Sequence, residues 1–354
     1  MHELINKLDT ILNKSHIDNI VESDLKIINE ITNNIYKNNF FEDKYKKSYI
    51  DSLVKNHIYY MKEIFIIKNP NLIYDHILWE ISTYNKMQLS NDFFKILFQA
   101  ILETLIENKD SKLFNLIPVY QLLISNFSQI EIDAKNYTLK DNTNYKDETY
   151  KEFVSALLEP NLTNAIDISN SYIKNKNELK IFWEQIILNS LYTIGEMWSR
   201  GEISVGQEHT ATSICQRVMS LHYDKVLNVK INMKKVLIVV SPNELHEIGA
   251  RMIADLLEFN GYDTYFLGSK KTTEEIVKTI NAENIKNILI STTMASNISM
   301  TKQLIKDIKD LTKDKIIEIY VGGQAFSNLD NVTKITGADL YINSFDELID
   351  ILEK

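Results

Sequence analysis

Cysteine is almost absent from this chain of 354 residues: Cys215 is the only one. One thiol excludes an internal disulfide and any zinc site built from several thiolates, and a reducing cytoplasmic setting is the expectation. Glycine and proline are scarce too, with nine and four residues, and no glycine precedes Gly195. A first half without glycine suits long helices joined by few tight turns. No run of 18 apolar residues occurs, so no membrane span is expected. Positive charge is also short. A formal net charge of -9, with no Lys/Arg cluster on a recognition helix, argues against direct DNA binding. The start, Met1-His2-Glu3-Leu4, has no basic region followed by an apolar core, so no secretion signal is expected. Walker, kinase and Gly-x-Ser-x-Gly motifs are missing.

What the chain does contain falls into regions of different periodicity. Residues 1–130 carry helical stripes, such as Leu4, Leu8, Ile11 and Leu12, or Ile50, Leu53, Val54, His57 and Met61; they predict a helical sensory or partner-binding domain. Residues 131–147 are polar and read as a linker. Residues 148–230 return to helical spacing in four segments, the first stopped by Pro160, and predict a four-helix bundle. Residues 234–354 alternate apolar runs with helical patterns. Val236 to Val240, Asp263 to Leu267, Ile285 to Ile290, Ile316 to Val321 and Asp339 to Ile342 are the strand candidates. That alternation predicts an α/β domain with a flavodoxin-like (Rossmann-like) parallel sheet covered on both faces. The fold class is therefore α/β with all-α regions ahead of it.

The first predicted strand runs into Ser241-Pro242-Asn243-Glu244-Leu245-His246-Glu247-Ile248-Gly249. A strand-to-helix turn of a parallel sheet is where ligands bind. An exposed imidazole there can ligate a metal while a nearby carboxylate fixes its second nitrogen. Glu244-x-His246-x-x-Gly249 resembles the Glu/Asp-x-His-x-x-Gly signature of cobalamin-binding domains. The resemblance implies His246 as the lower cobalt ligand, Glu244 as its orienting partner, and Gly249 as a point of close approach. Asp is the usual residue at position 244 in methyl-transfer members. Ser291-Thr292-Thr293 and Gly322-Gly323 follow later predicted strands, with Gly337-Ala338-Asp339 beyond. In that family order, Ser291, Thr293, Gly322 and Gly323 are implied to cradle the cofactor's nucleotide tail.

In the bundle, nine residues separate Trp198 from Glu208-His209. This resembles the Trp-x9-Glu-His pattern of cobalamin photoreceptors, the CarH/AerR-like group. Trp198, Glu208 and His209 are thereby implied to cap the corrin's upper face. Some photoreceptors carry a histidine directly after the tryptophan. Ser199 stands there in this chain, so a protein-ligated photoproduct through that position is excluded and His209 is the remaining candidate. The MerR-type DNA-binding domain of the light-dependent repressors has no counterpart.

These resemblances imply a cobalamin-binding sensor that is not itself an enzyme. Adenosylcobalamin is the expected cofactor, light the expected stimulus, and transcription regulation through a regulatory protein partner the expected output. Direct DNA or membrane binding is not expected, and a homo-oligomer stays open. The alternative is a corrinoid carrier of a methyltransferase system, loaded with methylcobalamin. A haem sensor on the same scaffold is disfavoured by the intact cobalt-ligand signature. Trp183 and Cys215 read as bundle core. His2, His16, His57, His76 and His222 show no metal-ligand spacing.

Overall fold

The computed structural model describes residues 2–14, 22–36, 46–86, 89, 91–109, 111–137, 147–223, 234–327 and 329–353. The chain divides into two compact units, Met1–Leu139 and Lys140–Lys354.

The first unit is all helix: α1 (His2–Lys14), α2 (Glu22–Tyr36), α3 (Lys47–Ile67), α4 (Pro70–Lys86), α5 (Asn91–Glu107), α6 (Ile117–Ser125) and α7 (Phe127–Lys135). Leu4, Leu8 and Leu12, four residues apart, fall on one face of α1, and all three are buried. Each such side chain stabilises the unit by about 1.5–3 kcal/mol. α3 stops where Lys68 turns left-handed, and Pro70 opens α4, where its fixed φ suits a first turn and its missing N–H costs nothing. α2 packs on α3 and α5, and α4 on α1 and α7. The core is not purely apolar, because His57 of α3 and His76 and Glu80 of α4 lie inside it. Burial pushes the His76 imidazole down to about 4, with the Glu80 charge opposing, so the ring is neutral at neutral pH. α7 continues to Lys135 because Ile130 and Ala134 are buried, so helix occupies the start of the stretch read as linker. Residues 138–146 of that stretch, and His16, lie outside the described residues.

The second unit begins with the bundle. α8 (Glu148–Leu158) and α9 (Leu162–Tyr172) are followed by α10 (Lys176–Ile181), which passes through a π-helical stretch, Phe182–Ile187, into α11 (Leu188–Ser199); α12 (Val205–Leu221) closes it. Asp147, Asn161 and Asn175 cap α8, α9 and α10. Ser204 and Gln207 form a capping box at α12, satisfying N–H groups that a helix start leaves open. Trp183 and Cys215 are fully buried, and burial pushes the Cys215 thiol up to about 12, so it is inert.

Five strands follow: β1 (Lys235–Val240), β2 (Asp263–Gly268), β3 (Asn287–Ser291), β4 (Glu318–Gly322) and β5 (Leu340–Tyr341). They form one parallel sheet in the order β2-β1-β3-β4-β5, the flavodoxin-like arrangement expected from the alternation. Between them run α13 (Ile248–Phe259), α14 (Thr273–Glu283), α15 (Ile298–Leu311) and α16 (Val332–Thr336), with α17 (Phe345–Glu353) last. The predicted fourth strand starts two residues late, since Ile316 is 88% exposed and outside the sheet. Bundle and sheet share one core, in which Phe153, Phe182 and Trp183 cluster with Val236, Leu257 and Phe345. No helix among the described residues is long and apolar enough to cross a membrane.

Candidate functional site

The strand order reverses between β1 and β3, which opens a crevice at their carboxyl ends. The loop after β1 enters it. Ser241 N–H donates to Ser291 O at 2.9 Å, tying this loop to the end of β3. Glu244 then turns inward and is buried. Its Oε1 accepts from the backbone N–H of Leu245 at 3.1 Å and of His246 at 3.2 Å, and from Nδ1 of His246. Its Oε2 accepts from the N–H of Thr293 at 3.1 Å and of Met294 at 2.8 Å, and from Asn297 Nδ2 at 3.1 Å. Burial alone would raise this carboxyl. The bonds from His246, Met294 and Asn297 outweigh it and hold Glu244 at about 2, so it is ionised throughout the neutral range.

His246 is the opposite case. Its side chain is 59% exposed, and the hydrogen bond to Glu244 raises its pKa against the pull of burial, with the Glu244 and Glu208 charges adding to the rise. With Nδ1 committed to Glu244, Nε2 faces outward and forms no hydrogen bond among the described residues. A buried carboxylate that fixes one ring nitrogen and presents the other is the donor set a metal-ligating histidine needs. Beside it, a Cβ on Gly249 would meet nothing within 4 Å. The protein's own packing does not require glycine at that helix start, so the space is free for a bulky group. The residues present therefore fit a corrin held through His246 Nε2.

The four residues expected to line the tail come together at the same edge. Ser291 pairs with Gly322 in the β3–β4 register, and Thr293 and Gly323 follow. Gly323 has φ +112, and a Cβ there would sit 2.3 Å from Thr292 O, so glycine is compulsory at that point. The sequence reading missed several parts. Glu247 reaches across to accept from Ser269 N–H at 2.6 Å, tying the loop after β2 to the loop after β1. Beneath the crevice, Ser241 Oγ bonds Thr301 Oγ1 at 2.7 Å, which meets Thr292 Oγ1 at 2.8 Å. Asn297 and Thr301 are four apart at the start of α15, a spacing visible in the sequence, but Glu244 and Ser241, which they meet, lie 53 and 60 residues away.

The bundle residues are gathered less tightly. Glu208, at the first turn of α12, is near enough for its charge to act on His246. It accepts from Thr212 Oγ1 at 3.0 Å and from the His209 ring. The His209 side chain is 75% exposed and lines a 320 Å³ surface pocket with Leu162, Ile214 and Arg217. Trp198 is half-buried and packs on the core of the bundle. Ser199 is buried and donates to Glu196 O at 2.8 Å.

Two family profiles match this half of the chain, both described as a B12 binding domain: one over residues 234–346, the other over residues 149–222. Among solved structures, the Methanosarcina barkeri monomethylamine corrinoid protein superposes with a TM-score of 0.50 at 16% identity, over 58% of this chain and 98% of that one. A cobalamin-binding protein from Desulfitobacterium hafniense DCB-2 gives 0.32 at 16% identity, over 58% and 97%. The methanol:cobalamin methyltransferase complex of Methanosarcina barkeri gives 0.33 at 15%, over 65% and 92%. The first of these overlaps speaks to the fold alone. The geometry around His246 and the two matched profiles agree: this chain carries B12 binding domains at 149–222 and 234–346 and is a cobalamin-binding protein.

Proposed function

We propose that this protein is a corrinoid carrier of a methyltransferase system, binding cobalamin through His246 and presenting it to a protein partner. One observation carries the cofactor half: the buried Glu244 carboxylate engages His246 Nδ1 and leaves Nε2 on a largely exposed ring without a hydrogen bond among the described residues. When bound, cobalamin supplies a cobalt centre able to accept and give up a methyl group. The chain's own residues do the rest. Glu244 orients the imidazole and strengthens its basicity. Because a ligating Nε2 must be unprotonated, cobalamin binding competes with protonation of His246, which the Glu244 hydrogen bond favours. Ser291, Thr293, Gly322 and Gly323 border the path of the nucleotide tail.

The carrier reading is favoured over the light sensor by the bundle. Trp198 is packed on bundle core, while His209 is bonded to Glu208 with most of its side chain exposed, so His209 is not enclosed as a wall around an adenosyl group would be. The corrinoid protein whose fold this half shares is named for monomethylamine, which agrees. Acting as a carrier, the chain would be no enzyme alone. It would need a methyltransferase partner to deliver or remove the methyl group.

The sensor reading keeps one observation in its favour: Glu208, ten residues after Trp198, acts on His246. Titrating the protein and its Trp198→Ala variant with methyl- and adenosylcobalamin separates the two. Affinities that do not favour the adenosyl form in either protein support the carrier. A strong adenosyl preference that Trp198→Ala abolishes, with a spectrum that changes under green light, overturns it.

A further inference from the structure

We propose that the amino-terminal helical unit holds a divalent transition-metal ion of the zinc class between His57, His76 and Glu80. His57 and His76 show no metal-ligand spacing in the sequence, and it is the fold that brings them together with Glu80. His57 lies on α3, while His76 and Glu80 lie four apart on one face of α4. All three are buried, at 0%, 6% and 5% exposure. One candidate ligand atom from each lies within 4.8 Å of the others.

The distances suit a small ion. His76 Nε2 is 3.5 Å from Glu80 Oε2. Ligand bonds of about 2.0–2.1 Å at the tetrahedral angle separate neighbouring donors by about 3.3 Å. His57 Nδ1 is closer to the same oxygen, 2.6 Å, and would open by about 0.7 Å to admit the metal. Two imidazoles and one carboxylate are a recognised zinc donor set, with the fourth position left to water.

Two further observations point to a ligand. His76 Nε2 is buried and has no hydrogen-bond partner. A buried ring nitrogen left without a hydrogen bond is costly, and a metal ion would remove that cost. Secondly, Tyr120 Oη lies 3.0 Å from His57 Nε2. With Nδ1 on a metal, Nε2–H donates to this hydroxyl, the outer contact that fixes a ligating histidine's tautomer. Tyr60 stacks flat on His76, ring centroids 3.5 Å apart, and holds its plane. The competing account is a metal-free chain in which Tyr120 donates to His57 and His57 to Glu80. It leaves His76 unexplained.

The test uses the full chain carrying His246→Ala, free of corrinoid, so the exposed imidazole of the other site cannot bind the probe. The protein is stripped with a chelator and titrated with Zn²⁺ or Co²⁺ alone. One equivalent is expected, with the visible bands of a four-coordinate Co²⁺ site. His76→Gln and Glu80→Gln should each weaken binding by more than about ten-fold, and Tyr120→Phe by about ten-fold. X-ray absorption on the zinc-loaded parent should find two imidazoles in the metal shell, a readout that does not depend on the variants folding. No uptake by the parent, a shell without imidazole, or equal uptake by parent and folded variants would each overturn the proposal. None of these outcomes bears on cobalamin binding at His246.

Discussion

Replacing Glu244 with Gln changes one atom and tests the whole site. The carboxylate accepts six hydrogen bonds, three at each oxygen. A glutamine can accept on one side only; its amide on the other side faces donors. The side toward Thr293, Met294 and Asn297 holds two backbone N–H groups whose direction is fixed, so the glutamine oxygen belongs there. The amide then faces the Leu245 and His246 N–H groups and the His246 ring. Those N–H groups lose a charged acceptor, though the exposure of Leu245 lets water replace part of it. We expect a loss of about 2–4 kcal/mol in the cofactor-free protein, large against a typical stability of about 5–15 kcal/mol. The functional effect follows from the tautomer. An amide donor on Nδ1 leaves the neutral ring's proton on Nε2, the nitrogen that has to ligate. Cobalamin affinity should fall by about 10–100-fold, beyond what lowered stability explains. Urea denaturation of the cofactor-free protein and spectrophotometric titration with cobalamin measure the two effects separately. If Glu244→Gln unfolds within about 0.5 kcal/mol of the parent and binds cobalamin with an unchanged cobalt spectrum, then Glu244 does not orient the ligand.

Three more outcomes are expected. His246→Ala should lower the stability of the cofactor-free protein by only about 1–2 kcal/mol, because the ring is mostly exposed, yet remove the histidine-ligated cobalt spectrum; retention of that spectrum would place the ligand elsewhere. Gly323→Ala should destabilise by roughly 3 kcal/mol, since its Cβ falls 2.3 Å from Thr292 O at φ +112, and an unchanged urea midpoint would contradict the backbone geometry. Asp255 gives a pH signature: burial raises it to about 7, with Arg251 opposing and Glu258 reinforcing. Its folded pKa lies above its unfolded one, so the folded state binds the extra proton. Stability is then complete below the unfolded value of 3.8 and falls as pH rises through about 7, by up to about 4 kcal/mol. Asp255→Asn should therefore gain over the parent at about pH 8 and much less at about pH 5; an equal difference at both values would refute it.

Local pattern settled much of this protein before any tertiary contact was considered. The spacing of Leu4, Leu8 and Leu12 fixes a helix face, and the unbroken run Val236 to Val240 fixes a buried strand, because each follows from the period of its own element. Ser241 to Gly249 was legible as a ligand turn for the same reason: Glu244, His246 and Gly249 lie within six residues, so a single strand-to-helix connection brings them together. The fold alone decided what surrounds them. Thr293, Met294 and Asn297 close on Glu244 from about 50 residues away, and only the parallel pairing of β1 with β3 brings them there. The charge of Glu208 acts on His246 because the bundle packs on the sheet. The limit is plainest at His57. Its spacing to His76 carries no message, since 18 residues of helix and turn separate them. Two antiparallel helices laid side by side can align residues at almost any separation, and which pairs meet is set by packing.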